Sequence, residues 1–277
     1  MKWRLIIMLL LVLLCGQRLS AQYYNTGQTP YSIEWKNIER DSIRVIYPSG
    51  YDTNARRTLF YMDSMKESVN YGLTAPLMKI PVVFKTENFE SNGIAMWAPR
   101  RIEMIAFPSI DSYSEPWLKQ LATHEYRHIA QYSNMNRHAV KAVSYLFGQQ
   151  ASLVATGLMP FWFLEGDAVD AETQMSTFGR ALQPSFTIGY RAAGRKVLEK
   201  KGHGMWFGGS YKAYAPNHYM LGYQMVSWAN THFGKYIWDD MIDFSSRRPY
   251  AIPTFNRALK KNYSLSVNDL FHKTFTD

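Results

Sequence analysis

Residues 124–128 read His-Glu-Tyr-Arg-His, and this H-E-x-x-H spacing brings its two imidazoles together only on an α-helix. At 3.6 residues per turn, His124 and His128 project from one face, where both can reach a single zinc ion at about 2.0–2.1 Å. Glu125 is rotated about 100° away, close enough to contact a water held by such an ion without ligating it. Trp117, Leu118 and Leu121 continue the same stripe toward the N-terminus, so the histidines face a core. Ser114-Glu115-Pro116 is a helix-start signal, and the helix it opens is expected to run to about Tyr132.

A hydrolytic zinc site needs a third protein ligand and one open position. The metzincin pattern requires glycine at 131 and histidine at 134, where this chain has Gln131 and Asn134, so that class is excluded. The better candidate is Glu165, in Phe161-Trp162-Phe163-Leu164-Glu165-Gly166-Asp167-Ala168. Pro160 precedes this helix and its first turn is strongly apolar, so a carboxylate at 165 is costly to bury without a cation.

The N-terminus reads as an address. Lys2 and Arg4 form a basic n-region, Leu5 to Cys15 is an apolar run, and Leu19-Ser20-Ala21 ends it with small residues, so residues 1–21 are expected to be a cleaved signal peptide. The apolar run is too short to span a bilayer, and no transmembrane helix is expected in the mature chain. Cleavage implies export to the periplasm or cell surface. It also removes the only cysteine, which leaves His, Asp and Glu as the available metal ligands. The mature chain keeps 28 basic and 22 acidic residues, a net charge of +6 spread over separate pairs such as Arg100-Arg101 and Lys260-Lys261. This pattern gives no nucleic-acid footprint.

Strand patterns precede helical ones. Ile43–Tyr47 alternates, Asp52 is placed to cap a helix carrying Leu59, Met62, Met65 and Val69, and Ile80–Phe84 is a short apolar strand. Ile94–Ala98 and Ile102–Phe107 flank Pro99-Arg100-Arg101 as a hairpin. Helices are expected over Ala139–Phe147, Phe161–Met175, Tyr190–Lys200, Asn217–Phe233, Tyr236–Phe244 and Val267–Phe275, with Gly202 and Gly234 at C-terminal ends. The expected class is α+β, with lobes of about 22–135 and 136–277 in one domain.

An H-E-x-x-H helix followed by a helix beginning W-[FL]-x-E-G-x-A resembles the gluzincin metallopeptidases, particularly the peptidase MA-like domains of exported bacterial proteins. The resemblance implies a zincin-like α+β lobe with an edge strand over the zinc helix, then a helical lobe. It makes His124, His128 and Glu165 the zinc ligands and Glu125 the general base of a peptide-bond hydrolase. Tyr219-Met220-Leu221-Gly222 is similar to the Y-x-x-G opening of the helix that holds an oxyanion-stabilising tyrosine, which implies Tyr219, with Tyr223 and His218 in reserve. Glu172, two turns after Glu165, resembles an acid that orients a zinc histidine, with Asp167 and Asp170 competing for that role. Ile94–Trp97 is a candidate edge strand for pairing an extended peptide.

Thirty-six residues separate His128 from Glu165, more than in many gluzincins, which fits a helical insertion near 137–158. Gly93-Ile94-Ala95-Met96-Trp97 lacks the acid of the aminopeptidase G-x-M-E-N motif, which argues against aminopeptidase activity. The Gly- and aromatic-rich stretch Gly202–Tyr214, with His203, is expected to form a wall of the cleft. Peptide or protein is the implied substrate. Two rival readings stay open: a catalytically silent zincin-fold scaffold with an envelope-associated partner (related proteins often carry a TolB-like propeller), and a glycan-cleaving protein using paired carboxylates such as Glu165 and Glu172.

Overall fold

A computed structural model describes residues 29–87, 89–109, 114–150, 157–193 and 217–276. The chain divides into two units, Met1–Tyr31 and Ser32–Asp277, and the second carries the fold. Residues 1–21 lie outside the described residues.

The second unit is α+β, and its five strands form a mixed sheet. They are β1 (Trp35–Arg40), β2 (Ile43–Pro48), β3 (Ile80–Lys85), β4 (Ser91–Trp97) and β5 (Arg100–Ala106), in the order β1-β2-β3-β5-β4. β2, β3 and β5 run parallel, while the edge strands β1 and β4 are antiparallel to their neighbours. Alternation places Ile43, Val45 and Tyr47 of β2, and Ile80, Val82 and Phe84 of β3, in the core. The expected hairpin is β4–β5, pairing Trp97 with Arg100 across Ala98-Pro99. β1 was not expected: its residues are almost all exposed, so no alternating pattern announces it.

Nine helices are present among the described residues: α1 (Asp52–Ser64), α2 (Trp117–Met135), α3 (His138–Phe147), α4 (Phe161–Gln174), α5 (Pro184–Ala193), α6 (His218–Phe233), α7 (Ile237–Arg247), α8 (Thr254–Tyr263) and α9 (Val267–Thr276). Three start signals need correction. Asp52 does not cap α1; it sits in the first turn and accepts a hydrogen bond from the Tyr47 hydroxyl at 3.3 Å, while Tyr51 occupies the cap position. Pro116 lies outside α2, and Glu115 instead pairs with Lys119 at 2.7 Å. The helix containing Tyr190 begins at Pro184, a proline in a first turn, and residues 194–200 of its expected span lie outside the described residues. α8 was not expected either, although Phe255, Ala258 and Leu259 bury one of its faces at helical spacing. No helix among the described residues is long and apolar enough to cross a membrane.

Two hydrophobic cores meet along α2. Leu118, Ala122, Tyr126 and Ile129 pack with α1 and the sheet. Ala130 and Met135 belong to the second core, built around Trp162, Phe163, Leu221, Met225, Trp238 and Phe255. α2 is therefore buried along most of its length, which fixes the direction of each imidazole.

The two glycines of E-G-x-A and Y-x-x-G touch. A Cβ on Gly166 would overlap the Gly222 backbone, and one on Gly222 would overlap the Trp162 carbonyl. α4 and α6 thus cross backbone to backbone. Because backbone cannot swing aside as a side-chain tip can, Gly222→Ala is expected to cost at least about 3 kcal/mol in denaturant unfolding.

Candidate metal centre

The expected trio converges. Glu165 Oε2 lies 3.2 Å from His124 Nε2 and 3.5 Å from His128 Nε2. One atom from each of the three side chains falls within 4.8 Å of the others, and all three residues are buried. The imidazoles meet edge to face, with centroids 4.9 Å apart. This group could hold a metal ion.

The opposite ring nitrogens are also engaged. His124 Nδ1 is 3.1 Å from Glu172 Oε2, and His128 Nδ1 is 2.9 Å from Gln131 Oε1. Both partners are acceptors, so each Nδ1 carries the hydrogen and each Nε2 turns a lone pair toward Glu165. Three lone-pair donors facing one another in a buried space require a proton or a cation among them, and this donor set fits a divalent cation. Proton uptake follows the same geometry. Burial opposes charge on His124, but hydrogen bonds to Glu165 and Glu172 outweigh it and raise its pKa to about 10. Burial likewise acts to raise Glu165, yet the histidines hold it well below the usual carboxylate range.

Of the three acids proposed to orient a histidine, Glu172 does so; Arg180, 2.8 Å from Glu172 Oε1, holds it in turn. Asp167 pairs with Arg127 through two bonds of 2.8 and 2.7 Å and accepts from Gln131 Nε2 at 2.7 Å. Asp170 accepts from Gln174 and Asn230. Gln131, Arg127 and Arg180 are site residues that sequence reading missed. Arg127 sits inside the motif as an unread position, and Arg180 lies in a 3-10 turn with no marked spacing to the motif.

Glu125 is buried beside the trio, under β4. Burial raises its pKa first, the two histidines lower it, Glu165 raises it, and a backbone hydrogen bond from Ala95 lowers it. Gly93 of β4 makes this approach possible, since a Cβ there would come within 2.8 Å of Glu125 Cγ and 2.7 Å of Leu121 Cδ1. Tyr132 donates to the Ala95 carbonyl at 3.0 Å and ties the edge strand to α2.

Tyr219 borders the same space, its ring centroid 6.2 Å from that of His124 and the Arg180 guanidinium 5.6 Å from its own ring centre. Burial pushes its hydroxyl pKa up, and the neighbouring Glu165 adds to this. His218 contacts both Phe161 and Tyr219 with tilted rings, 4.5 Å to each centroid. Tyr223 meets Phe186 instead. Glu165 and Glu172 serve the two nitrogens of one imidazole, so they do not flank a free space as paired glycosidic carboxylates would. Gly202–Tyr214 and His203 lie outside the described residues.

Compared with known proteins, the chain matches no family model and no curated protein.

The His124 shift has a definite sign. A folded-state pKa raised from 6.5 to about 10 stabilises the metal-free protein fully below pH 6.5 and is lost as pH rises through about 10. The melting temperature of metal-free protein is therefore expected to fall across that window in calorimetry, and saturating divalent metal to remove the fall. Replacing the Nδ1 acceptor, Glu172→Gln, is expected to weaken metal affinity about 10–100-fold in chelator competition.

Proposed function

We propose that the chain is a zinc-dependent peptidase of the gluzincin type, exported to the periplasm or cell surface. The observation that carries this reading is the convergence of His124 Nε2, His128 Nε2 and Glu165 Oε2 beside a buried Glu125. A nitrogen–oxygen donor set favours zinc, which would supply Lewis acidity there and lower the pKa of a water to about 7.

The chain's own groups account for the remaining chemistry. Glu125 accepts the proton of the attacking water and returns it to the leaving amine; its raised pKa brings it toward that of a base working near neutrality. Tyr219, kept protonated by its raised pKa, donates its hydroxyl hydrogen to the oxygen that gains charge on the scissile carbonyl. The edge strand β4 pairs with β5 on one side only and, apart from Ala95, whose N–H and carbonyl are taken by Glu125 and Tyr132, offers its other side to an extended peptide.

Purified protein supplied with zinc is expected to cleave a denatured protein substrate. Glu125→Gln should retain one metal per chain and lose at least about 100-fold in turnover. Tyr219→Phe should lose about 100–1,000-fold in turnover with metal content unchanged. Metal-loaded wild type without any cleavage would instead identify a silent scaffold.

A further inference from the structure

A cavity of about 1020 Å³ opens on another face of α2, where Lys119, Thr123 and Arg127 repeat at four-residue spacing. Neither the three clustered side chains nor Glu125 or Tyr219 lines it. Its volume is that of a small-molecule site.

The polar groups inside are incompletely served. Asp170 is 5% exposed, and Gln174 (2.7 Å) and Asn230 (3.0 Å) both donate to its Oδ2. It has no ion pair among the described residues, because the adjacent cation, Arg127, is engaged by Asp167 and by the carbonyls of Val69 and Tyr71. A buried carboxylate that lines the cavity without a cationic partner among the described residues calls for a group with positive charge and N–H donors, which describes an ammonium. Burial, and then the charge of Asp167, raise the Asp170 pKa to about 7, as expected for a carboxyl lacking its cation.

Charge of the opposite sign lies on the outer wall. Lys66 pairs with Asp41 and Lys119 with Glu115, but Lys235 has no ion pair among the described residues. Its Nζ sits 4.9 Å from the Tyr71 ring centre and 5.1 Å from that of Tyr236. Gly72, at φ 73°, lies so close to the Lys235 carbonyl that no Cβ fits, which fixes this wall to the 71–77 loop. Met65, Leu73, Met175 and Trp238 add apolar surface to the lining.

We propose that this cavity binds the zwitterion of an apolar amino acid or dipeptide, its ammonium at Asp170 and its carboxylate at Lys235. The inference does not depend on the peptidase reading.

The test is calorimetric titration of metal-stripped and metal-loaded protein with L-leucyl-L-leucine, confirmed intact afterwards by mass spectrometry. N-acetylated and C-amidated forms of the dipeptide serve as comparison ligands. Wild type is expected to bind the free dipeptide with or without metal, and each blocked form at least about tenfold more weakly. Asp170→Asn should no longer distinguish the acetylated form, and Lys235→Gln should no longer distinguish the amidated one. Lys235 is on the outer wall, so its variant keeps the test decisive even if Asp170→Asn fails to fold. No binding up to about 10 mM, binding only to metal-loaded protein, or unchanged discrimination in Lys235→Gln would each overturn the proposal.

Discussion

Two imidazole nitrogens and a carboxylate oxygen are held face to face where water has little access, and such an arrangement is unstable unless positive charge lies among them. Much of the surrounding structure maintains that confrontation. Glu172 and Gln131 take the hydrogens on the far side of each ring, so neither histidine can turn its lone pair away. From Gln131 a chain of bonds runs through Asp167 and Arg127 to the carbonyls of Val69 and Tyr71, fastening the ligand-bearing helix to the segment that follows α1. A proton fills the central position when nothing else does, which is why His124 is so basic despite its burial.

The ligand trio was legible because its parts are encoded locally. Four-residue spacing selects a helix face for His124 and His128, and an acid within the apolar opening of α4 is conspicuous at Glu165. The bounds of α2, α4 and α6 were readable to within a few residues for the same reason, since each carries strong helical periodicity or a distinct first turn. Glu172 could be named only as one of three acids on α4. Separating it from Asp167 and Asp170 requires knowing that Arg127, Gln174 and Asn230 occupy the other two.

What escaped the sequence depends on distant neighbours or on weak patterns. β1 pairs through its backbone while exposing its side chains, so its residue types say little about strand formation. Arg180 reaches His124 by way of Glu172, a relation that no spacing rule anticipates. Gly93 reads only as the glycine that opens a stretch lacking the aminopeptidase acid. In the folded chain it is the vacancy that lets Glu125 lie beneath β4.

The crossing of α4 and α6 at Gly166 and Gly222 is the point at which the two backbones meet. Glu165 is the residue next to that point, and Tyr219 lies one turn before it. Because that contact is backbone against backbone, the spacing between the carboxylate-bearing helix and the phenol-bearing helix does not depend on any side-chain rotation.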